Sequence, residues 1–160
     1  MTVKVLFVCL GNICRSPTAH GLFQHYVDQA KLGHKLVVDS AGTGDWHLGD
    51  PPDERAQATA VARGYNISHL RARQVTTSDF IHFDYILAMD QQNLRDLSKL
   101  KPANFKGTLG LFLDVAGLGD NQDVPDPYYG DQSHFNYAIE LIDTASQDLL
   151  ARIQQDINAR

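Results

Sequence analysis

The residues with the clearest chemical potential are Cys9, Cys14 and Arg15, which lie together in the stretch FVCLGNICRSPTA (residues 7 to 19). The chain has no other cysteine. A loop that leads into a helix brings backbone N–H groups and the positive end of the helix dipole to one point, which suits a phosphate. An adjacent guanidinium can hold two phosphate oxygens, and the same positive field favours the thiolate form of Cys9. These residue types predict attack by a thiolate on a bound phosphoryl group.

The residues between the two cysteines fit such a loop. Gly11 and Asn12 are the residue types that most readily adopt the backbone conformations that turn successive amides inward. We expect Ser16 to cap the following helix and Pro17 to occupy its first position. The spacing of Cys9 and Arg15 is weak evidence alone, and its position between a buried strand and a helix start strengthens it.

A thiolate that displaces an alkoxide or phenoxide needs a proton donor for the leaving group. The stretch DVPDPYYGD (residues 123 to 131) contains a candidate, Asp126, between two prolines that stiffen the backbone. Pro-Asp-Pro is also an ordinary turn, so both interpretations stay open for this motif taken alone.

Composition narrows the setting of this chemistry. The formal net charge of −5 argues against a broad nucleic-acid or anionic-membrane surface. The run VLFVCL is too short for a signal-peptide core, and no stretch reaches transmembrane length, so we expect a cytoplasmic protein. No His or carboxylate cluster has ligand spacing, so we expect no metal and no cofactor. His20 and His25 are five residues apart and are expected at the surface.

Strand and helix patterns alternate along the 160 residues, which we interpret as a single domain over 1–160. Apolar runs predict strands at 3–9, 35–40, 83–89 and 107–114. Helical spacing and capping residues predict helices at about 16–30, 53–63, 91–100 and 135–157. This alternation predicts an α/β, doubly wound domain, with a four-stranded parallel sheet and helices on both faces. Ligands of such sheets bind beyond the carboxyl ends of the strands, where Cys9 lies.

Four stretches in this order, VLFVCLGNICRSPTA, DSAGTGDW, FDYILAMDQQNLRDL and DPYYG, resemble the low-molecular-weight protein tyrosine phosphatases. The resemblance covers nearly the whole chain. It implies metal-independent hydrolysis of phosphotyrosine in proteins through a cysteinyl-phosphate, with Cys9 as nucleophile, Arg15 as phosphate clamp and Asp126 as general acid. Inorganic phosphate would be the product and an inhibitor.

The resemblance also implies roles for the surrounding residues. The phosphate-binding loop would comprise Leu10, Gly11, Asn12, Ile13, Cys14 and Ser16. Asn12 would be held through bonds involving Ser40 and His69, and the Ser16 hydroxyl would stabilise the thiolate. The walls of the substrate slot would be Trp46, Tyr128 and Tyr129, whose crowding at the mouth predicts a monomer or weak dimer.

One position departs from the family pattern. Relatives commonly carry Glu where this chain has His20, and that acid is thought to favour the charged form of the histidine matching His69. Asp90, just after its strand, is another acid that could give this support, so the charge state of His69 stays open.

Two other functions share parts of this pattern. An arsenate reductase of the same fold would pass a disulfide through two further cysteines, which the chain lacks. A non-catalytic phosphopeptide-binding module would need the loop without nucleophile or acid. For Cys14, two roles stay open: trapping an oxidised Cys9 as a disulfide, or packing beneath the loop.

Overall fold

The computed structural model describes residues 2–159, which form four strands and six helices. The strands are β1 (Val3–Cys9), β2 (Leu36–Gly42), β3 (Tyr85–Ala88) and β4 (Thr108–Leu111). The helices are α1 (Arg15–Gln29), α2 (Glu54–Ala62), α3 (Asp79–His82), α4 (Gln91–Leu100), α5 (Phe112–Val115) and α6 (Gln132–Asn158).

The strands form one parallel sheet in the order β2-β1-β3-β4. Val5 of β1 is paired with Val38 on one side and Tyr85 on the other, so β1 is a central strand. The winding reverses between β1 and β3, and the carboxyl ends of strands at such a reversal border a crevice. Cys9 is the last residue of β1, at this crevice. The predicted fold class is confirmed.

Alternate residues of β1 pack into two separate layers. Val5 and Phe7 belong to the larger layer, which contains apolar residues of α1, α5 and α6. Leu6 and Val8 face the other layer, with residues of α3 and α4. These four side chains are fully buried. The Phe7 ring makes edge-to-face contacts with the rings of Phe23 and Phe112. Among residues 2–159, no helix is both long and apolar enough to cross a membrane.

Three of the differences between predicted and observed element boundaries have clear physical reasons. Helix α1 begins at Arg15 with Cys14 as N-cap, and Ser16 lies inside its first turn. The fourth strand stops at Leu111, because Phe112 and Leu113 pack into the same layer, whereas neighbours in a strand face opposite sides. Helix α6 begins at Gln132 because the Asp131 carboxylate accepts a hydrogen bond from the Ser133 N–H at 3.0 Å.

Candidate active site

The loop between β1 and α1 has its carbonyl groups bonded to neighbouring segments. Three loop carbonyls accept backbone hydrogen bonds: Cys9 from Thr43 at 2.9 Å, Leu10 from Gly44 at 2.9 Å, and Ile13 from Asp53 at 2.8 Å. In a planar trans peptide the N–H points opposite to the C=O. The amides that follow these carbonyls therefore point away from the bonded segments, which leaves them available to a ligand.

The close fit of the loop depends on two unusual backbone positions. Asn12 has a positive φ of 57°, a conformation that Asn tolerates better than most residues. Gly42, at the end of β2, lies so near the loop that a Cβ would come within 2.8 Å of the Leu10 carbonyl oxygen. Helix α1 begins without a side-chain cap or an acidic residue in its first turn, so its positive end is not neutralised locally.

Cys9 is buried, and its sulfur lies 3.0 Å from the Ser16 hydroxyl oxygen. The Asn12 side-chain amide donates to the same oxygen at 2.7 Å. Because Ser16 accepts from Asn12, its own proton can be donated either to the Cys9 sulfur or to the Ala41 carbonyl, which lies 3.3 Å away. This geometry places a hydrogen-bond donor beside the sulfur, as expected for a residue that stabilises a thiolate.

The Arg15 guanidinium is buried beneath the loop, with 2% of its side chain exposed. One nitrogen donates to Asp90 at 2.6 Å and to the Val124 carbonyl at 2.9 Å. The other lies 3.5 Å from the Asp126 carboxylate. Burial alone would lower the pKa of Arg15, but the negative charges of Cys9, Asp90 and Asp126 outweigh it and raise that pKa. Arg15 is therefore a fixed cation, and it brings the Asp126 carboxylate of the distant 123–131 segment close to the loop.

These groups open into one cleft of about 350 Å³. Its lining residues are Cys9, Leu10, Gly11, Ile13, Cys14, Arg15, Trp46, His47, Asp126, Tyr128 and Tyr129. Trp46 and Tyr129 are largely exposed at its mouth. The Trp46 ring folds back so closely over Gly44 that a Cβ there would collide with it at 1.8 Å. Among these lining residues, His47 alone was missed by sequence reasoning, although its place next to Trp46 was a usable signal.

The chain is similar to known proteins over nearly its whole length. A family model described as low molecular weight phosphotyrosine protein phosphatase matches residues 4–159. The chain belongs to that family. A putative low molecular weight protein-tyrosine-phosphatase of Synechocystis is 43% identical over 156 residues, which cover 97% of this chain and 99% of the relative.

Solved structures of the phosphatase family share the fold. The protein tyrosine phosphatase of Entamoeba histolytica, with Hepes in its active site, is 36% identical with a TM-score of 0.90, over 97% of this chain and 99% of that one. A Drosophila arginine phosphatase is 32% identical with a TM-score of 0.87, over 94% of this chain and 98% of that one. Proteins with different named substrates therefore share this phosphatase fold.

The support of Asn12 differs from the one that the resemblance to these phosphatases implied. Its side-chain oxygen accepts a bond from the Arg73 backbone N–H at 3.0 Å, and its amide bonds Ser16. Within residues 2–159, the Ser40 hydroxyl is bonded to the His20 ring instead, at 3.0 Å. The expected bonds of Asn12 through Ser40 and His69 were therefore wrong, because His20 takes the Ser40 hydroxyl. His69 and His20 both line a separate cleft.

Arg73 was missed by sequence reasoning. Its guanidinium forms ion pairs with Asp39 and the buried Asp79, each at 3.1 Å, which fix the backbone N–H that holds Asn12. No local pattern marks it, since its partners lie on β2 and α3. Asp90, the other acid considered for His69, forms its ion pair with Arg15.

His20 is half-buried rather than a surface residue, and this gives a testable pH dependence. Burial lowers the pKa of His20 from 6.5 to about 4, helped by His69 and Arg73 and opposed by Asp39. The unfolded chain therefore binds a proton between these values that the folded chain does not. The contribution of His20 to the free energy of unfolding is complete above about pH 6.5. It decreases as the pH drops towards 4, by at most about 3 kcal/mol.

Urea unfolding at several pH values between 4.5 and 7.5 measures this dependence. His20→Gln keeps a partner for Ser40 but cannot titrate, so its stability should depend less steeply on pH than that of the wild type. Parallel curves for the two proteins would contradict the assignment to His20.

Proposed function

We propose that this protein hydrolyses phosphotyrosine in other proteins through a cysteinyl-phosphate intermediate, without a metal. The observation that carries the proposal is the meeting of Cys9, Arg15 and Asp126 in one cleft, with Arg15 3.5 Å from Asp126. These residues are a nucleophile, a cation for the phosphoryl oxygens and a proton donor.

In the first step, the Cys9 thiolate attacks phosphorus, an S–P bond forms and the bond from phosphorus to the phenolic oxygen breaks. Asp126 donates its proton to that oxygen, so the tyrosine leaves as a neutral phenol. Arg15 and the amides of the loop hold the oxygens of the transferring group, where charge must be stabilised.

In the second step, Asp126, now a carboxylate, accepts a proton from water as the water attacks phosphorus. The S–P bond breaks and phosphate is released. The Ser16 hydroxyl, 3.0 Å from the sulfur, stabilises the departing thiolate. Because phosphate occupies the same loop as the substrate, we expect it to inhibit competitively.

The depth and lining of the cleft favour an aromatic phosphoester. The sulfur of Cys9 is buried while Trp46, Tyr128 and Tyr129 stand at the mouth, so a substrate must span that depth between aromatic faces. A serine side chain is shorter than a tyrosine and would leave its phosphate short of Cys9. The presence of both nucleophile and acid argues against a module that only binds phosphopeptides.

The test is hydrolysis of matched phosphotyrosine, phosphoserine and phosphoarginine peptides with a chelator present. We expect turnover of the phosphotyrosine peptide above the other two, with inhibition by inorganic phosphate. Phosphoarginine is included because one similar structure is that of an arginine phosphatase. Faster hydrolysis of that peptide would overturn the substrate assignment, and no turnover of any would overturn the reaction.

We also propose that Cys14 protects Cys9 from irreversible oxidation. Burial, with the charges of Asp53 and Cys9, raises the pKa of Cys14, so it stays a thiol. If peroxide oxidises Cys9 to a sulfenic acid, the Cys14 thiol can condense with it to a disulfide and water. A dithiol should then restore activity after peroxide treatment in the wild type but not in Cys14→Ser. Equal recovery of both would contradict the role.

A further inference from the structure

We infer that Arg55 is a positioning residue that fixes Tyr128 and Asp126 in place relative to the phosphate-binding loop. This inference rests on the proposed function. Arg55 lies in the first turn of α2, outside the set of residues that line the cleft. Its contacts connect four parts of the chain: the phosphate-binding loop, α2, the 123–131 segment and α6.

The first contact anchors Arg55 to Asp53. The Asp53 carboxylate accepts three bonds from Arg55: the backbone N–H at 2.8 Å, Nε at 3.1 Å and Nη2 at 2.9 Å. Burial alone would raise the pKa of Asp53, but these bonds outweigh it and lower that pKa. The two-point fork fixes the plane of the guanidinium, which a lysine ammonium could not reproduce.

The second contact places the guanidinium over two aromatic rings. Its central carbon lies 5.3 Å from the centre of the Tyr128 ring and 4.7 Å from that of Phe135. Phe135 is buried in the first two turns of α6, whereas Tyr128 belongs to the segment that carries Asp126. Cation–π attraction at such distances holds the ring of Tyr128 against a fixed support.

Backbone hydrogen bonds extend this link in both directions. The Asp53 N–H donates to the Ile13 carbonyl at 2.8 Å, which ties Arg55's anchor to the phosphate-binding loop. The Tyr128 N–H donates to the Asp126 carboxylate at 3.1 Å. One line of contacts therefore runs from the loop beside Cys9, through Arg55, to the proposed proton donor.

This geometry has a kinetic signature. A displaced Asp126 matters most when the leaving group needs its proton, so phenyl phosphate should suffer more than p-nitrophenyl phosphate. Affinity for inorganic phosphate should change less than kcat/KM for phenyl phosphate, because the loop and Arg15 contact phosphate directly and Arg55 does not. A purely structural weakening would lower both substrates alike.

Arg55→Met, which keeps the apolar stem, should lower kcat/KM for phenyl phosphate about tenfold and for p-nitrophenyl phosphate less than about threefold. Arg55→Lys should not restore the wild-type ratio, because the fork is lost. The matched control is Arg63→Met, since Arg63 ends the same helix and pairs with Glu140 and Asp143 of α6. Arg63→Met should keep the wild-type ratio of kcat/KM for phenyl phosphate to kcat/KM for p-nitrophenyl phosphate.

Amide hydrogen exchange of residues 123–131 gives a readout that needs no turnover. We expect faster exchange there in Arg55→Met than in the wild type or Arg63→Met. Unchanged exchange in Arg55→Met would overturn the inference, whether or not the wild type is active. An equal fall for both substrates would overturn it too, whereas an inactive wild type with faster exchange in Arg55→Met would refute only the proposed function.

Discussion

Replacing Cys9 by serine should abolish phosphotyrosine hydrolysis while leaving phosphate binding intact. A serine hydroxyl is not ionised at neutral pH. Within residues 2–159, the side chain bonded to this position is that of Ser16, a hydroxyl and not a base that could activate a serine. We expect a loss of at least about 10⁴-fold in kcat, as found when a nucleophile is removed elsewhere. The loop amides and Arg15 remain, so the phosphate affinity should stay within a few-fold of the wild type.

An assay of phosphate release measures kcat, and calorimetric titration with phosphate measures the phosphate affinity. Mass spectrometry of acid-quenched enzyme adds a direct test, since the wild type should carry a phosphoryl group during turnover and Cys9→Ser should not. The phosphate titration also serves as the control for folding. Measurable turnover by a well-folded Cys9→Ser protein would show that another group attacks phosphorus.

Replacing Asp126 by alanine should produce the second largest effect. We expect kcat/KM for a phosphotyrosine peptide to fall by roughly 10² to 10⁴, because the phenolic oxygen would leave without a proton. The basic limb of the pH profile should disappear, since it reports the loss of that proton in the free enzyme. The fall should be smaller for p-nitrophenyl phosphate, which has a better leaving group.

Profiles of kcat/KM against pH for the wild type, Asp126→Ala and Asp126→Asn decide this assignment. The asparagine variant keeps the shape of the side chain and should lose the basic limb as well. If the limb persisted in both variants, the proton would come from elsewhere. Asp90, the other carboxylate bonded to Arg15, would then be the next candidate.

Local signals in the sequence were enough for the elements that present the site. The β-branched run of β1 predicted Val3–Cys9, and helical spacing predicted Gln91–Leu100, both with the observed boundaries. In the structure the Asp90 side chain caps the second of these elements. Both elements depend on side chains within a few residues of one another. Ser16 failed as a predicted cap for the opposite reason: its hydroxyl serves Cys9, seven positions away.

Contacts between distant segments were beyond such signals. Arg15 reaches Asp90 and Val124 across 75 and 109 positions, and no spacing rule connects them. Arg55 and Arg73 look like ordinary surface cations in the sequence, yet their partners lie on other elements of the fold. The roles of these arginines follow from the packing of the sheet and helices, which a single sequence does not specify.

The bonds of Val124 have a consequence for ligand affinity. Its carbonyl accepts from Arg15, and its N–H donates to the Met89 carbonyl at 2.7 Å, so the cation that would clamp phosphate also docks the segment that carries Asp126. Two events that share one group are thermodynamically linked, and the linkage is reciprocal. If bound phosphate raises the equilibrium constant for docking of this segment by some factor, docking of the segment raises the affinity for phosphate by the same factor.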